Sequence, residues 1–195
     1  METALSAALG NGPTAAVTPS TRAGMSDEQC WLAAARRGEP WALEQFYSTH
    51  QPQVYALCYR LLGRAEDAED AVQATFVRAF RSLPRFRGDS APRTWLFRIA
   101  TNEALGLLRR RKSTPEWVEE CHSAPDGTGR MLERLAVRAA LARLSPDHRA
   151  ILILRLWEGL SYNEIAEVLG ITLPAVKMRL SRARDQFRRF YEDEP

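Results

Sequence analysis

Residues 160–190 read LSYNEIAEVLGITLPAVKMRLSRARDQFRRF, and this stretch decides the fold. Ser161 and Glu164 have the spacing of a capping box, which starts a short helix carrying Ile165, Ala166 and Leu169. Gly170 supplies a turn, and Thr172 with Pro174 opens a last helix. This is helix-turn-helix grammar. In the last helix Leu173, Val176, Leu180, Ala183 and Phe187 recur at steps of three and four and face inward. Pro174, Lys177, Met178, Ser181 and Arg182 are left facing outward, with Arg179, Arg184 and Arg188 on the flanks. Cations suit guanine edges and phosphates, and the Ser181 hydroxyl offers an adaptable hydrogen bond, so the outward face is equipped for a major groove. Local charge adds to the pattern: residues 172–191 hold six Lys or Arg against Asp185 alone, which favours a polyanionic partner.

Immediately upstream, residues 131–144 are Ala- and Leu-rich and predict a helix. Ser145 with Pro146 caps the next one, whose inner side is Ile151, Leu154 and Trp157, and Gly159 ends it. Residues 113–129, STPEWVEECHSAPDGTG, have no sustained period and are punctuated by Pro115, Pro125, Gly127 and Gly129, the pattern of a linker.

Ahead of the linker, residues 86–112 read FRGDSAPRTWLFRIATNEALGLLRRRK, a Gly-containing loop opening a basic helix. Phe86, Trp95 and Phe97 lie among Arg87, Arg93 and Arg98, with Arg109, Arg110, Arg111 and Lys112 at the far end. Cations interleaved with exposed aromatics suit single-stranded nucleic acid, because unpaired bases stack on flat side chains while arginines follow the backbone. Taken singly, Trp95, Leu96 and Ile99 fit the buried side of an amphipathic helix equally well.

Residues 1–25 are rich in Ala, Thr, Gly and Pro and are expected to form a disordered tail. Ser26 and Gln29 make a capping box ahead of Trp31, Leu32 and Ala35, and Gly38 ends that helix. Pro40 opens the next, with Trp41, Leu43, Phe46, Tyr47, Val54, Leu57, Cys58 and Leu61 as its apolar set, a kink expected at Pro52, and Gly63 as its stop. In RAEDAEDAVQATFVRAFRSL, residues 64–83, Ala68, Val72, Thr75, Ala79 and Leu83 mark an inner face. Asp70, Gln73 and Val77 form an opposite stripe with Phe76 and Phe80 beside it, a mixed surface of the kind that docks a partner or stands in solvent.

Composition bounds these readings. The chain has 195 residues, a net charge of +3, 45% hydrophobic residues and three cysteines. Cys30, Cys58 and Cys121 are too scattered for a disulfide framework, and Cys121 beside His122 lacks the companion ligands of a metal site. No apolar run is long enough to span a bilayer and no leader precedes the helices, so a cytoplasmic location is expected. No Gly-rich phosphate cradle or metal spacing supports catalysis; neither an enzyme nor a cofactor is expected. The fold expected is all-α: two small helical domains joined by a flexible linker, the second ending in the helix-turn-helix. The expected boundaries are 1–25 for the tail, 26–113, 114–130 for the linker, and 131–191.

The order of acidic helix, aromatic loop and helix, basic end, linker and LSPDHRAILILRLWEGLSYNEIAEVLGITLPAVKMRLSRAR resembles an extracytoplasmic-function (ECF) sigma factor of bacteria, over residues 26–190. The resemblance implies that Asp70, Gln73 and Phe76 contact the clamp helices of RNA polymerase's largest subunit, with Ala74 where a glutamate is common. It implies that Phe86, Arg87, Gly88, Asp89, Trp95, Asn102, Arg109 and Arg110 serve the minus ten element. Of these, the loop residues receive a flipped base and Asn102 reads it, with Gly106 where an aspartate is frequent. It implies that Lys177, Met178, Arg179, Ser181 and Arg182 serve the minus thirty-five element, Met178 replacing a usually small polar residue. Promoter DNA, core polymerase and an anti-sigma protein are the partners so implied. Two other classes compete: an operator-binding helix-turn-helix regulator, whose first domain would sense a ligand or phosphoryl group, and a polymerase-binding accessory protein that never touches bases.

Overall fold

The structure, a computed structural model, describes residues 27–111 and 128–192, with side chains from 31 to 110 and from 133 to 192. The described residues form eight α-helices and no strand. The first four are α1 (Asp27–Arg36), α2 (Pro40–Leu62), α3 (Ala65–Ser82) and α4 (Pro92–Arg111), with a 3-10 turn at Leu83–Arg85. The rest are α5 (Thr128–Arg143), α6 (Pro146–Leu156), α7 (Tyr162–Leu169) and α8 (Leu173–Glu192). The expected tail, the Ser26 cap and most of the expected linker lie outside the described residues. Helix α5 begins at Thr128, inside the stretch read as linker. Gly129 stands in the first turn, where a weak helix former costs less than in the helix interior.

In the first half α2, α3 and α4 pack against one another and α1 lies on α2. Phe46, Leu57, Leu61, Ala68, Val72, Phe76, Leu83, Leu96, Phe97 and Ala100 fill the space between them. The inner face read for α3 is buried throughout, from Ala68 to Leu83. Helix α2 runs through Pro52 without a break and ends, as its sequence predicts, at Gly63 in the left-handed conformation. Two members of its expected apolar set are on the surface instead: Trp41 is 57% exposed and Tyr47 is 42% exposed. Each has a local partner, since the Trp41 indole donates to Glu39 Oε2 at 2.8 Å and the Tyr47 ring lies 4.6 Å from that of Phe76. In the second half α8 packs on α5, α6 and α7, and Val137, Leu141, Ile151, Ile153, Leu154, Ile165, Val168 and Leu180 make the core.

The two halves touch. Helix α7 lies on α4, and α6 reaches both α2 and α4. At this junction Glu158 accepts from Arg60 Nη1 at 2.8 Å and from Arg93 Nη2 at 3.0 Å, and Thr94 Oγ1 donates to Glu164 at 3.3 Å. Arg149, fully buried on α6, donates Nη1 to the Leu61 carbonyl of α2 at 2.9 Å. Its Nε and Nη2 reach the carbonyls of Leu141, Ala142 and Leu144 at the end of α5. Helix α4 is thereby covered by α2, α3, α6 and α7.

Candidate nucleic-acid interface

The helix-turn-helix is built as its sequence dictates. Ser161 Oγ accepts from Glu164 N–H at 3.3 Å, Glu164 Oε2 accepts from Ser161 N–H at 2.8 Å, and both orphan donors at the start of α7 are satisfied. The hydrogen bonds from Ser161 hold the Glu164 carboxyl below its usual range, with smaller help from Thr94 and Arg93. Gly170 has φ 63°, a left-handed turn that a residue with a Cβ adopts only under strain, and Thr172 Oγ1 then caps α8 by accepting from Ala175 N–H at 3.4 Å. Val176, Leu180, Ala183 and Phe187 are buried, while Pro174, Lys177, Met178, Ser181 and Arg182 are exposed and Arg179 is half-buried. From 174 to 182 the helix rises about 12 Å, so this face fits along a few base steps of a major groove.

The second surface belongs to the loop after residue 85 and to α4. Arg87, Gly88 and Asp89 are exposed, the turn being made by Gly88 at φ 80°. Asn102, Arg109 and Arg110 are exposed on the uncovered side of α4, together with Arg98 one turn before Asn102. The aromatics do not present themselves as expected. Phe86 and Phe97 are buried, and Trp95 is half-buried with its ring 4.9 Å from Phe86 and 6.5 Å from Phe46. Because α4 has neighbours on several sides, its aromatics supply core, and Phe86 wedges the loop in place. The Arg93 guanidinium sits 4.6 Å over the Phe97 ring. What faces solvent is therefore mainly a polar and cationic edge. Arg98 and Asn102, four residues apart on the helix, share that edge, and the spacing is visible in the sequence.

On α3, Asp70, Gln73 and Val77 are exposed in one stripe, and Arg78 is tied to Glu103 of α4 at 2.8 Å. Phe76 is buried beneath them, so it supports this surface from within. Among the described residues no group of three or more His, Cys, Asp or Glu is placed to hold a metal.

Both surfaces match one family. A family model for Sigma-70 region 2 covers residues 46–114, and one for Sigma-70 region 4 covers residues 134–187. The chain is 35% identical over 81% of its length to the ECF RNA polymerase sigma factor SigM of Mycobacterium tuberculosis, of which it covers 81%. The chain belongs to the ECF sigma factors of RNA polymerase. Identity to the RNA polymerase sigma-H factor of Pseudomonas aeruginosa is 33%, over 81% of this chain and 90% of that one. Among solved structures, CnrH in complex with the cytosolic domain of CnrY is similar with TM-score 0.66 and 28% identity, over 85% of this chain and 97% of that one. The sigma factor RpoE of Bartonella quintana, in complex with the anti-sigma factor NepR, is similar with TM-score 0.61 and 29% identity, over 78% and 98%. The region 2 match occupies the half in which an operator-binding regulator would carry its sensor. Sigma factors act as transcription initiation factors without enzymatic activity, and no described helix is long and apolar enough to cross a membrane.

Proposed function

We propose that this sigma factor works in the cytoplasm, recruits core RNA polymerase through α3, places α8 in the major groove of the minus thirty-five element, and captures minus ten bases on the loop and α4. It carries out no catalysis of its own. Asp70 and Gln73 meet the polymerase clamp from the exposed stripe that buried Phe76 supports. Lys177, Met178, Arg179, Ser181 and Arg182 meet duplex DNA. Arg87, Gly88 and Asp89 receive an extruded base and Asn102 reads its edge, while Arg109 and Arg110 follow the phosphates; Phe86 and Trp95 hold the loop's shape from below. An anti-sigma protein restrains the chain, as NepR is bound to the related RpoE.

The observation that carries this reading is that the chain exposes two separate DNA-suited faces, a helix-turn-helix and a cationic edge with a central amide, on opposite sides of the linker. Unstacking a base costs a few kcal/mol, which the polar contacts of the extruded base with the loop and Asn102, together with the phosphate contacts of Arg109 and Arg110, offset.

The test is transcription by core polymerase with base substitutions at the minus ten element, on closed templates and on templates already mismatched there. Asn102→Ala is expected to lose the parent's base preference on both. Retention of that preference on pre-opened DNA refutes the assignment of Asn102, whatever happens to total activity.

A further inference from the structure

Met178 is 53% exposed, and among the described residues it is the one large apolar side chain that the second half leaves open to solvent; Trp41, Tyr47 and Val77 belong to the first half. It takes no part in the core that Val176, Leu180, Ala183 and Phe187 build with α5, α6 and α7. At about 100° per residue, Met178 lies about 160° around the helix axis from both Val176 and Leu180, so it points almost directly away from the buried row. Exposed Pro174, Lys177, Ser181 and Arg182 surround it. Met178 therefore stands at the crest of the face that α8 offers to a major groove.

The chemistry of the crest differs from that of its flanks. Lys177 and Arg182 donate to guanine edges and phosphates, and Ser181 both donates and accepts, but a thioether donates nothing and is only a weak acceptor. It cannot tell bases apart by hydrogen bonding. The major-groove edges of the base pairs carry a single kind of apolar group, the C5-methyl of thymine. Three rotatable bonds and a polarizable sulfur let a methionine settle on such a group without demanding one fixed backbone approach. Against the polar edge of another base the same side chain displaces water and returns no hydrogen bond, so a penalty elsewhere adds to the gain at thymine.

We propose that Met178 reads a thymine methyl, so that the minus thirty-five element served by this chain holds a thymine, on either strand, between the positions reached by Lys177 and by Arg182. The inference deepens the duplex-binding reading of α8 in the preceding subsection and rests on it.

The test starts from a promoter that holoenzyme containing the parent chain transcribes, found among genomic fragments. Finding none refutes the two-element reading itself. The minus thirty-five element of that promoter is randomised and selected for binding by holoenzyme carrying the parent, Met178→Ala or Met178→Ser. The parent should enrich thymine at one position, and both variants should lose that preference while keeping those at the other positions. Because Met178 is exposed, both should retain the parent's circular dichroism and unfolding midpoint. Uracil in place of that thymine removes the methyl and leaves O4 where it was; it should weaken the parent about fourfold, the worth of one buried methyl-sized group, and leave the alanine variant unchanged. A parent with no thymine preference overturns the inference, as does a preference that survives in either variant or a loss spread evenly over all positions. Equal effects of uracil on the parent and on the alanine variant overturn it too, by showing that another side chain, such as Pro174, meets the methyl. In each of these cases the parent still binds and transcribes its promoter, so only the role of Met178 falls.

Discussion

His50 shows how a single side chain can carry a pH dependence unrelated to DNA. It is buried on α2, its ring 4.7 Å from Phe46 and 6.1 Å from Trp31, and its Nε2 has no hydrogen-bond partner. Burial, with a smaller contribution from the positive charge of Arg93, lowers its pKa to about 4 from the ordinary 6.5. The unfolded chain takes up a proton near pH 6.5 and the folded chain does not until near pH 4, so acid favours unfolding across that window. Between pH 7 and pH 5 His50 alone should remove about 2 kcal/mol of stability. Urea unfolding of the parent and His50→Leu at the two pH values measures this: the leucine variant should lack that part of the loss, and equal losses in both proteins would show that His50 is not the group responsible. Cys58, by contrast, is pushed up to about 12 by burial, with Glu103 and Glu158 adding to it, and stays an inert thiol.

At the scale of elements, α8 divides its labour cleanly between a buried row and an exposed face, and the two can be changed independently. Lys177 and Arg182 are exposed, so replacing either with alanine should leave helix content and unfolding midpoint at the parent's values. Promoter affinity of the holoenzyme should fall. Where the lost contact was a phosphate, the plot of log affinity against log salt should become shallower by about one unit; where it was a guanine, discrimination at one position should fall by about 1–3 kcal/mol. Titrations at several salt concentrations, on the parent promoter and on promoters altered at single minus thirty-five positions, separate the two. Affinity and slope both unchanged in both variants would remove α8 from the duplex interface. Helix α4 has no such division. Neighbours cover it on several sides, so any substitution of Phe97 or Leu96 to alter strand binding would first cost core packing.

For the whole molecule, Arg149 is the residue on which most depends. Its guanidinium joins the end of α5 to the end of α2 through four backbone carbonyls, where partial negative charge from two helix termini stands in for an acidic partner. Burial lowers its pKa to about 10, which still leaves it charged at neutral pH. Arg149→Leu should destabilise the chain by about 3–5 kcal/mol, since it strands those carbonyls in a dry site, and Arg149→Lys should recover only part of the loss. Denaturant unfolding monitored by circular dichroism gives both values; a loss under about 1 kcal/mol for the leucine variant would mean that water replaces the guanidinium.

The local grammar by itself determined the all-α class, the helix-turn-helix with its Ser161 capping box and Gly170 turn, and the exposed face of α8. These follow from short-range rules: capping needs residues three apart, and an amphipathic helix sorts its faces by a period of 3.6. The stripe of Asp70 and Gln73 was legible for the same reason. Only the tertiary structure decided which aromatics of residues 86–97 lie inside, because a helix packed on several sides has no single apolar stripe for periodicity to detect. It alone brought Glu158 to Arg60 and Arg93, and Arg149 to Leu61. Those partners are far apart along the chain, and nothing in the spacing of charges specifies which cation a buried carboxylate will meet when two domains close on each other.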